Sequence, residues 1–286
     1  MQKSITLVEC PRDAMQGWKH FIPTEKKVAY LNALLKVGFD VLDFGSFVSA
    51  KAIPQMADTK EVIPQLQLDG SKTKLLAIIA NTRGAEDAIA YDEITYLGFP
   101  FSISETFQLR NTNKTIAQSL TQVEEVQDLC VQKGKDLVVY ISMGFGNPYG
   151  DEYSAEVAIY WVGELAKLGI KTIAMSDTVG VAKPDTIEYI FKSLVPEFKD
   201  VLIGAHFHST YDKWEEKIQT AYDNGCLRFD SAMKGIGGCP MAEDELVGNI
   251  ATEQLVSWCE RKGVPLDLNK EAFNESLLMA ANIFVG

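Results

Sequence analysis

The chain has 286 residues, 47% of them hydrophobic, so it can bury a large core. Its formal net charge of -12 argues against nucleic acid or an anionic membrane surface as a partner, and no apolar run approaches the length of a membrane span. Cys10, Cys130, Cys226, Cys239 and Cys259 are odd in number and lack metal-finger spacing, which reads as a reduced, cytoplasmic protein.

Strand-like runs recur along the chain at 5–9, 39–44, 74–80, 93–99, 136–142, 170–176, 201–208 and 227–233. The first run begins so early that no secretory leader is expected. Helical periodicity fills the intervals. In Thr24–Val37, Val28, Leu31, Leu34 and Leu35 share one face, Thr24 is placed as N-cap after Pro23, and Gly38 as C-cap. The segment 154–168 ends at Gly169, and 184–194 opens on Pro184. Eight strands alternating with helices predict a parallel sheet closed into a (β/α)8 TIM barrel, with residues 1–286 as a single domain. An open doubly wound sheet is the alternative, but no G-x-G-x-x-G follows the first strand.

In such a barrel the active site lies at the carboxyl ends of the strands. The seventh strand ends in His206-Phe207-His208, and residues two apart on a strand share a face, so both rings can reach one divalent metal. Two of the chain's three histidines are here. Asp13, after the first strand, and Asn249 could complete an oxygen and nitrogen donor set. Read alone, Asp13 is also a turn residue and Asn249 also an N-cap. Arg12 is a positive group at the same mouth, suited to an enolate or a carboxylate, and Asp43 could fix its guanidinium. Gly235-Ile236-Gly237-Gly238-Cys239-Pro240 is a glycine-rich loop that presents one thiol, and a thiol in a polar site can donate or accept a proton.

These blocks, in this order, resemble the 3-hydroxy-3-methylglutaryl-CoA lyase family of metal-dependent lyase and aldolase barrels. The resemblance runs over nearly the whole chain. It is carried by Val8-Glu9-Cys10-Pro11-Arg12-Asp13-Ala14-Met15-Gln16, Ser46-Phe47-Val48-Ser49-Ala50-Lys51, Ser176-Asp177-Thr178-Val179-Gly180-Val181, the His206/His208 strand, the Gly-Gly-Cys-Pro loop and Gly248-Asn249-Ile250-Ala251-Thr252-Glu253. It implies that Asp13, His206, His208 and Asn249 bind Mg2+ or Mn2+, and that Arg12 stabilises the developing enolate. It further implies that Cys239 relays a proton, that Lys19 contacts coenzyme A, and that Asp177 and Glu253 support the site. The implied substrate is an acyl-CoA, 3-hydroxy-3-methylglutaryl-CoA, split to acetyl-CoA and acetoacetate as in leucine degradation. Asp13 or His206 would take the hydroxyl proton, and the implied assembly is a homodimer. Three departures from the family pattern stand out. One residue fewer separates Glu9 from Pro11, Asp43 replaces a Glu, and Ser209 to Asp212 differ from Asp-Thr-Tyr-Gly. The alternatives are an aldolase or Claisen-type synthase acting on a 2-oxo acid or another hydroxy-acyl substrate, and a metal-binding homologue without turnover.

Overall fold

The structure is a computed structural model that describes residues 3–238 and 247–285. Eight strands pair in parallel: β1 (Thr6–Glu9), β2 (Val41–Ser46), β3 (Lys74–Ile78), β4 (Ile94–Ser102), β5 (Asp136–Ser142), β6 (Thr172–Asp177), β7 (Leu202–Ser209) and β8 (Arg228–Ser231). Each hydrogen-bonds its sequence neighbour, and β8 pairs with β1, Thr6 opposite Arg228, which closes the expected barrel. A two-residue strand, β9 (Gly248–Asn249), runs antiparallel to the end of β7.

The helices are α1 (Pro11–Gln16), α2 (Thr24–Val37), α3 (Thr59–Val62), α4 (Thr82–Ala88), α5 (Glu105–Thr112), α6 (Ile116–Lys133), α7 (Ala155–Lys167), α8 (Pro184–Glu197), α9 (Trp214–Asp223), α10 (Thr252–Lys262) and α11 (Lys270–Ile283). No described helix is long and apolar enough to cross a membrane. Helix α2 spans the predicted range and ends on Gly38 at φ 84°, a left-handed position that suits glycine. Its cap differs from expectation. Pro23 occupies the N-cap position, and Thr24 instead donates its hydroxyl to Asp58 at 2.7 Å, the side chain being drawn to a neighbouring carboxylate rather than to its own helix. Helix α7 starts after a Ser154 cap, one residue inside the predicted range.

Side-chain direction follows from the floor of the barrel. Thr6, Val41, Leu76, Tyr96, Val138, Thr172, Leu202 and Arg228, one from each strand, line a cavity of about 30 Å³. Counting upward in twos, the lumen receives Cys10, Asp43, Tyr140, Ser176, His206, His208 and Asp230. Apolar residues of the opposite parity, such as Leu7, Leu42, Ile173, Phe207 and Phe229, are buried against the helices. Gly204 leaves the lumen room for a buried cation, since a Cβ there would lie 3.1 Å from the Arg228 side chain.

Candidate active site

Helix α1 begins immediately after β1, with Cys10 at its N-cap and Pro11 in its first turn. This tight turn carries Arg12 and Asp13 over the mouth of the lumen, where both are buried. The Arg12 guanidinium is held on three sides. Nη2 donates to Asp43 Oδ2 at 2.5 Å, Nη1 to Asp13 Oδ1 at 3.0 Å and Nη1 also to Gln16 Oε1 at 2.9 Å. Gln16 in turn donates to Asp13 Oδ1 at 2.9 Å. Burial disfavours charge on Arg12, but Asp43 and Asp13 outweigh it and the guanidinium stays protonated. Burial pushes Asp43 up to about 6 against the opposing pull of Arg12, so it remains ionised at neutral pH. Burial also resists charge on Asp13, yet Arg12, His206, His208 and Asn249 together hold it down at about 2.

The two histidines stand side by side at the top of β7, ring centroids 5.2 Å apart. Each is oriented through Nδ1. His206 Nδ1 lies 3.1 Å from Asp230 Oδ2, and His208 Nδ1 lies 2.9 Å from the Thr178 carbonyl. A carbonyl only accepts, so His208 carries its proton on Nδ1 and turns a bare Nε2 inward. That Nε2 is buried with no protein partner. Burial lowers the His208 pKa, the neighbouring His206 adding to it. On His206 burial acts the same way but is overcome by Asp230 and Asp13. Ligand atoms of Asp13, His206 and His208 all lie within 4.8 Å of one another. One carboxylate oxygen and two imidazole nitrogens, one of them the orphaned His208 Nε2, fit a hard or borderline divalent ion.

Strand β9 brings Asn249 opposite His208. Its carboxamide donates to Asp13 Oδ2 at 2.6 Å and to the Ile236 carbonyl at 2.9 Å. Gly237 passes so close that a Cβ there would meet Asn249 Nδ2 at 2.5 Å and Asp13 Oδ2 at 2.9 Å, at a φ of 106°. The glycine-rich segment is therefore glycine where it crosses these two side chains. Cys10, His206 and Asp230 form a second group within the same limit. There Asp230 is already committed, to His206 and to Arg228 Nη1 at 2.7 Å, so it serves to hold the ring.

The structure thus brings together Arg12, Asp13, Asp43, His206, His208 and Asn249. Lys19 is exposed after α1. Asp177 faces away from the lumen, accepting from Lys217 Nζ at 2.6 Å and from the amides of Val181 and Ala182. Glu253 accepts from the Lys234 amide at 3.0 Å, beneath the glycine-rich segment. Cys239 lies outside the described residues. Sequence reasoning missed Asp230, Arg228 and Lys217. The signal for the first two is a pair of charges two apart in a short apolar strand, which must share one face. For Lys217 it is a cation on the same helical face as Trp214, Ile218 and Ala221.

The family model described as HMGL-like matches residues 5–279. The chain belongs to that family. Its HMGL-like relatives include the hydroxymethylglutaryl-CoA lyase YngG of Bacillus subtilis, 31% identical over 280 residues that cover 98% of this chain and 91% of that protein. The bovine mitochondrial hydroxymethylglutaryl-CoA lyase is 31% identical over 278 residues, 96% of this chain and 84% of that one. Among solved structures, an HMG-CoA lyase from Acinetobacter baumannii in complex with coenzyme A and 3-methylmalate superposes with a TM-score of 0.90. It is 31% identical and is covered to 91%, against 98% of this chain.

Proposed function

We propose that this HMGL-like protein is a divalent-metal-dependent carbon–carbon lyase that cleaves 3-hydroxy-3-methylglutaryl-CoA to acetyl-CoA and acetoacetate. The observation that carries the reading is the Asp13, His206 and His208 donor set lying under the fixed Arg12 guanidinium in a chain so similar to known lyases along its length. Asp13, His206 and His208 would hold Mg2+ or Mn2+, with Asn249 contributing its carboxamide. The ion supplies Lewis acidity that lowers the pKa of the substrate's tertiary hydroxyl.

Asp13 or His206 would take that hydroxyl proton. Asp230 behind His206 supports the second, because its carboxylate stabilises positive charge on the ring. Arg12 holds the negative charge that develops on the enolate oxygen as the bond breaks. Its three-sided clamp means that no reorganisation is needed at that moment. Asp43 keeps the clamp in place. Cys239, on the glycine-rich loop, would protonate the carbanion, and exposed Lys19 would meet the coenzyme A phosphates. Asp177 and Glu253 act at one remove, through the β6–α8 turn and the base of the loop. We assign one catalytic domain, a homodimer, a cytoplasmic location and a role in leucine degradation. The buried, unpaired Cys10, Cys130, Cys226 and Cys259 support a reducing compartment.

The test is release of acetoacetate and acetyl-CoA from 3-hydroxy-3-methylglutaryl-CoA, with Mg2+ or Mn2+, with chelator, and with His206→Ala. Turnover that needs the metal and falls by at least about a hundredfold in the variant is the expected result. A wild-type protein that binds the metal but does not split 3-hydroxy-3-methylglutaryl-CoA at its carbon–carbon bond would overturn the reading.

A further inference from the structure

We propose that Ser176 donates a hydrogen bond to an anionic oxygen of the bound hydroxy acid, beside the metal ligands. The proposal rests on the lyase reading for the chemistry of its ligand. Ser176 lies in β6 and is the register partner of His206 in β7. Neighbouring strands run about 4.8 Å apart, so two side chains on the same face at partnered positions are adjacent. Both point inward, because Thr172 and Leu202, four residues earlier in each strand, line the cavity at the barrel floor.

The Ser176 hydroxyl is buried, the residue being 5% exposed, and its Oγ has no hydrogen-bond partner. Two other hydroxyls near the strand ends do have partners. Ser102 Oγ donates to the Ser104 carbonyl at 3.2 Å, and Thr178 Oγ1 accepts from the Met143 amide at 2.8 Å. The Ser176 carbonyl is itself satisfied, by the Gly144 amide at 3.0 Å. The other orphaned hydroxyls among the described residues lie outside the lumen: Thr73 before β3, Ser119 in α6, Ser276 in α11, and Ser209, of opposite parity to His208.

A buried hydroxyl without a partner is unfavourable unless a ligand completes it. Arg228 Nη1 and Asp230 Oδ1 also lack a hydrogen-bond partner but form an ion pair at 2.7 Å, which leaves His208 Nε2, among the Asp13, His206 and His208 donors, as the other orphan in the lumen. Two orphans of complementary character therefore face the same lumen, one a lone pair for a cation and one a proton for an anion. A neutral hydroxyl competes poorly for a divalent ion with Asp13 and two imidazoles, but it can donate to a carboxylate or alkoxide oxygen. The bound species that carries such an oxygen next to a chelated metal is the hydroxy acid itself.

The experiment uses 3-methylmalate, a hydroxy dicarboxylate, titrated by calorimetry into the full-length protein preloaded with Mn2+. Wild type is compared with Ser176→Ala and Ser176→Gly, and the Mn2+ affinity of each is measured separately. Both variants are expected to weaken 3-methylmalate about tenfold or more, the loss typical of a hydrogen bond to a charged oxygen, with Mn2+ affinity unchanged. Ser176→Thr, which keeps the hydroxyl, is expected to recover most of the affinity. Unchanged 3-methylmalate binding in the two deletion variants would overturn the proposal. A parallel loss of Mn2+ affinity would also overturn it, by making the hydroxyl a metal-side group. Failure of the wild type to cleave 3-hydroxy-3-methylglutaryl-CoA would refute the lyase reading alone if 3-methylmalate still bound through Ser176. Failure to bind 3-methylmalate as well would remove both.

Discussion

Glu9 ends β1 on the side of the sheet away from the lumen and is fully buried. Oε1 accepts from the Met233 amide at 2.9 Å, and Oε2 lies 2.5 Å from the Thr252 hydroxyl. Burial pushes its pKa up to about 8, against an ordinary 4.5. The folded state therefore keeps a proton that the unfolded chain has released between those two values. The stabilisation is complete below about 4.5 and is lost as pH rises through about 8. Glu9→Gln keeps an acceptor for Met233 and offers Thr252 a donor, but has no proton to lose. Urea unfolding from pH 5.5 to 8.5 is expected to show wild-type stability falling by a few kcal/mol more than that of the variant. Parallel profiles would refute it. The same residue marks a limit of sequence reading. Val8-Glu9-Cys10-Pro11-Arg12-Asp13 announces the site, but which of its side chains enter the lumen depends on strand parity and on the turn at Pro11. The gathering of His206, His208, Arg12 and Asp13 at the mouth was legible because metal and oxyanion chemistry would need those residue types at strand ends. Asp230 and Ser176 were not, because an isolated Asp or Ser acquires meaning only from the ring or lumen beside it.

Elements were more legible than residues. All eight barrel strands occur where apolar runs predicted them, 136–142 to the residue and the others with edges moved by at most three, since a strand ends where its neighbour's pairing ends. Strand β9 escaped notice because two residues carry no periodicity. What joins the elements at the mouth was also invisible in the chain. Lys217 of α9 is buried and donates to Asp177 Oδ2 at 2.6 Å, to the His208 carbonyl at 2.9 Å and to the Gly180 carbonyl at 3.0 Å. One ammonium thus ties a helix to the turn after β6 and to the end of β7. That turn also contains the Thr178 carbonyl that orients His208. Lys217→Met fits the apolar face of α9 but leaves the Asp177 carboxylate buried without its cation. A loss of about 3–5 kcal/mol is expected in denaturant unfolding. Adding Asp177→Asn should restore part of it, because the neutral amide no longer needs the ammonium. A double variant as unstable as the sum of the single ones would show that the two do not act as a pair.

On the scale of the molecule, the candidate metal position closes the chain on itself. Asp13 stands after the first strand, and Asn249 stands 236 residues further on, yet their side chains meet at 2.6 Å. His206 and His208 come from a third region, and each is oriented from yet another segment, by Asp230 of β8 and by Thr178 in the turn after β6. An unfolded chain cannot gather these donors, so an ion that binds them binds the folded state alone. Its binding free energy then adds to stability by mass action. At a free concentration a hundredfold above its dissociation constant the gain is about 2.7 kcal/mol, which in a chain of this size raises the midpoint of thermal unfolding by roughly 5 °C. Mn2+ and Mg2+ are each expected to produce such a rise, and a chelator to reverse it. Asp13→Asn removes the one anionic donor of the set and should abolish the shift, while Arg12, held as well by Asp43 and Gln16, keeps two of its three partners. A shift that survives in Asp13→Asn would place the ion elsewhere. No shift in the wild type would mean that these donors do not gather a divalent ion, even though His208 Nε2 is turned inward without a partner.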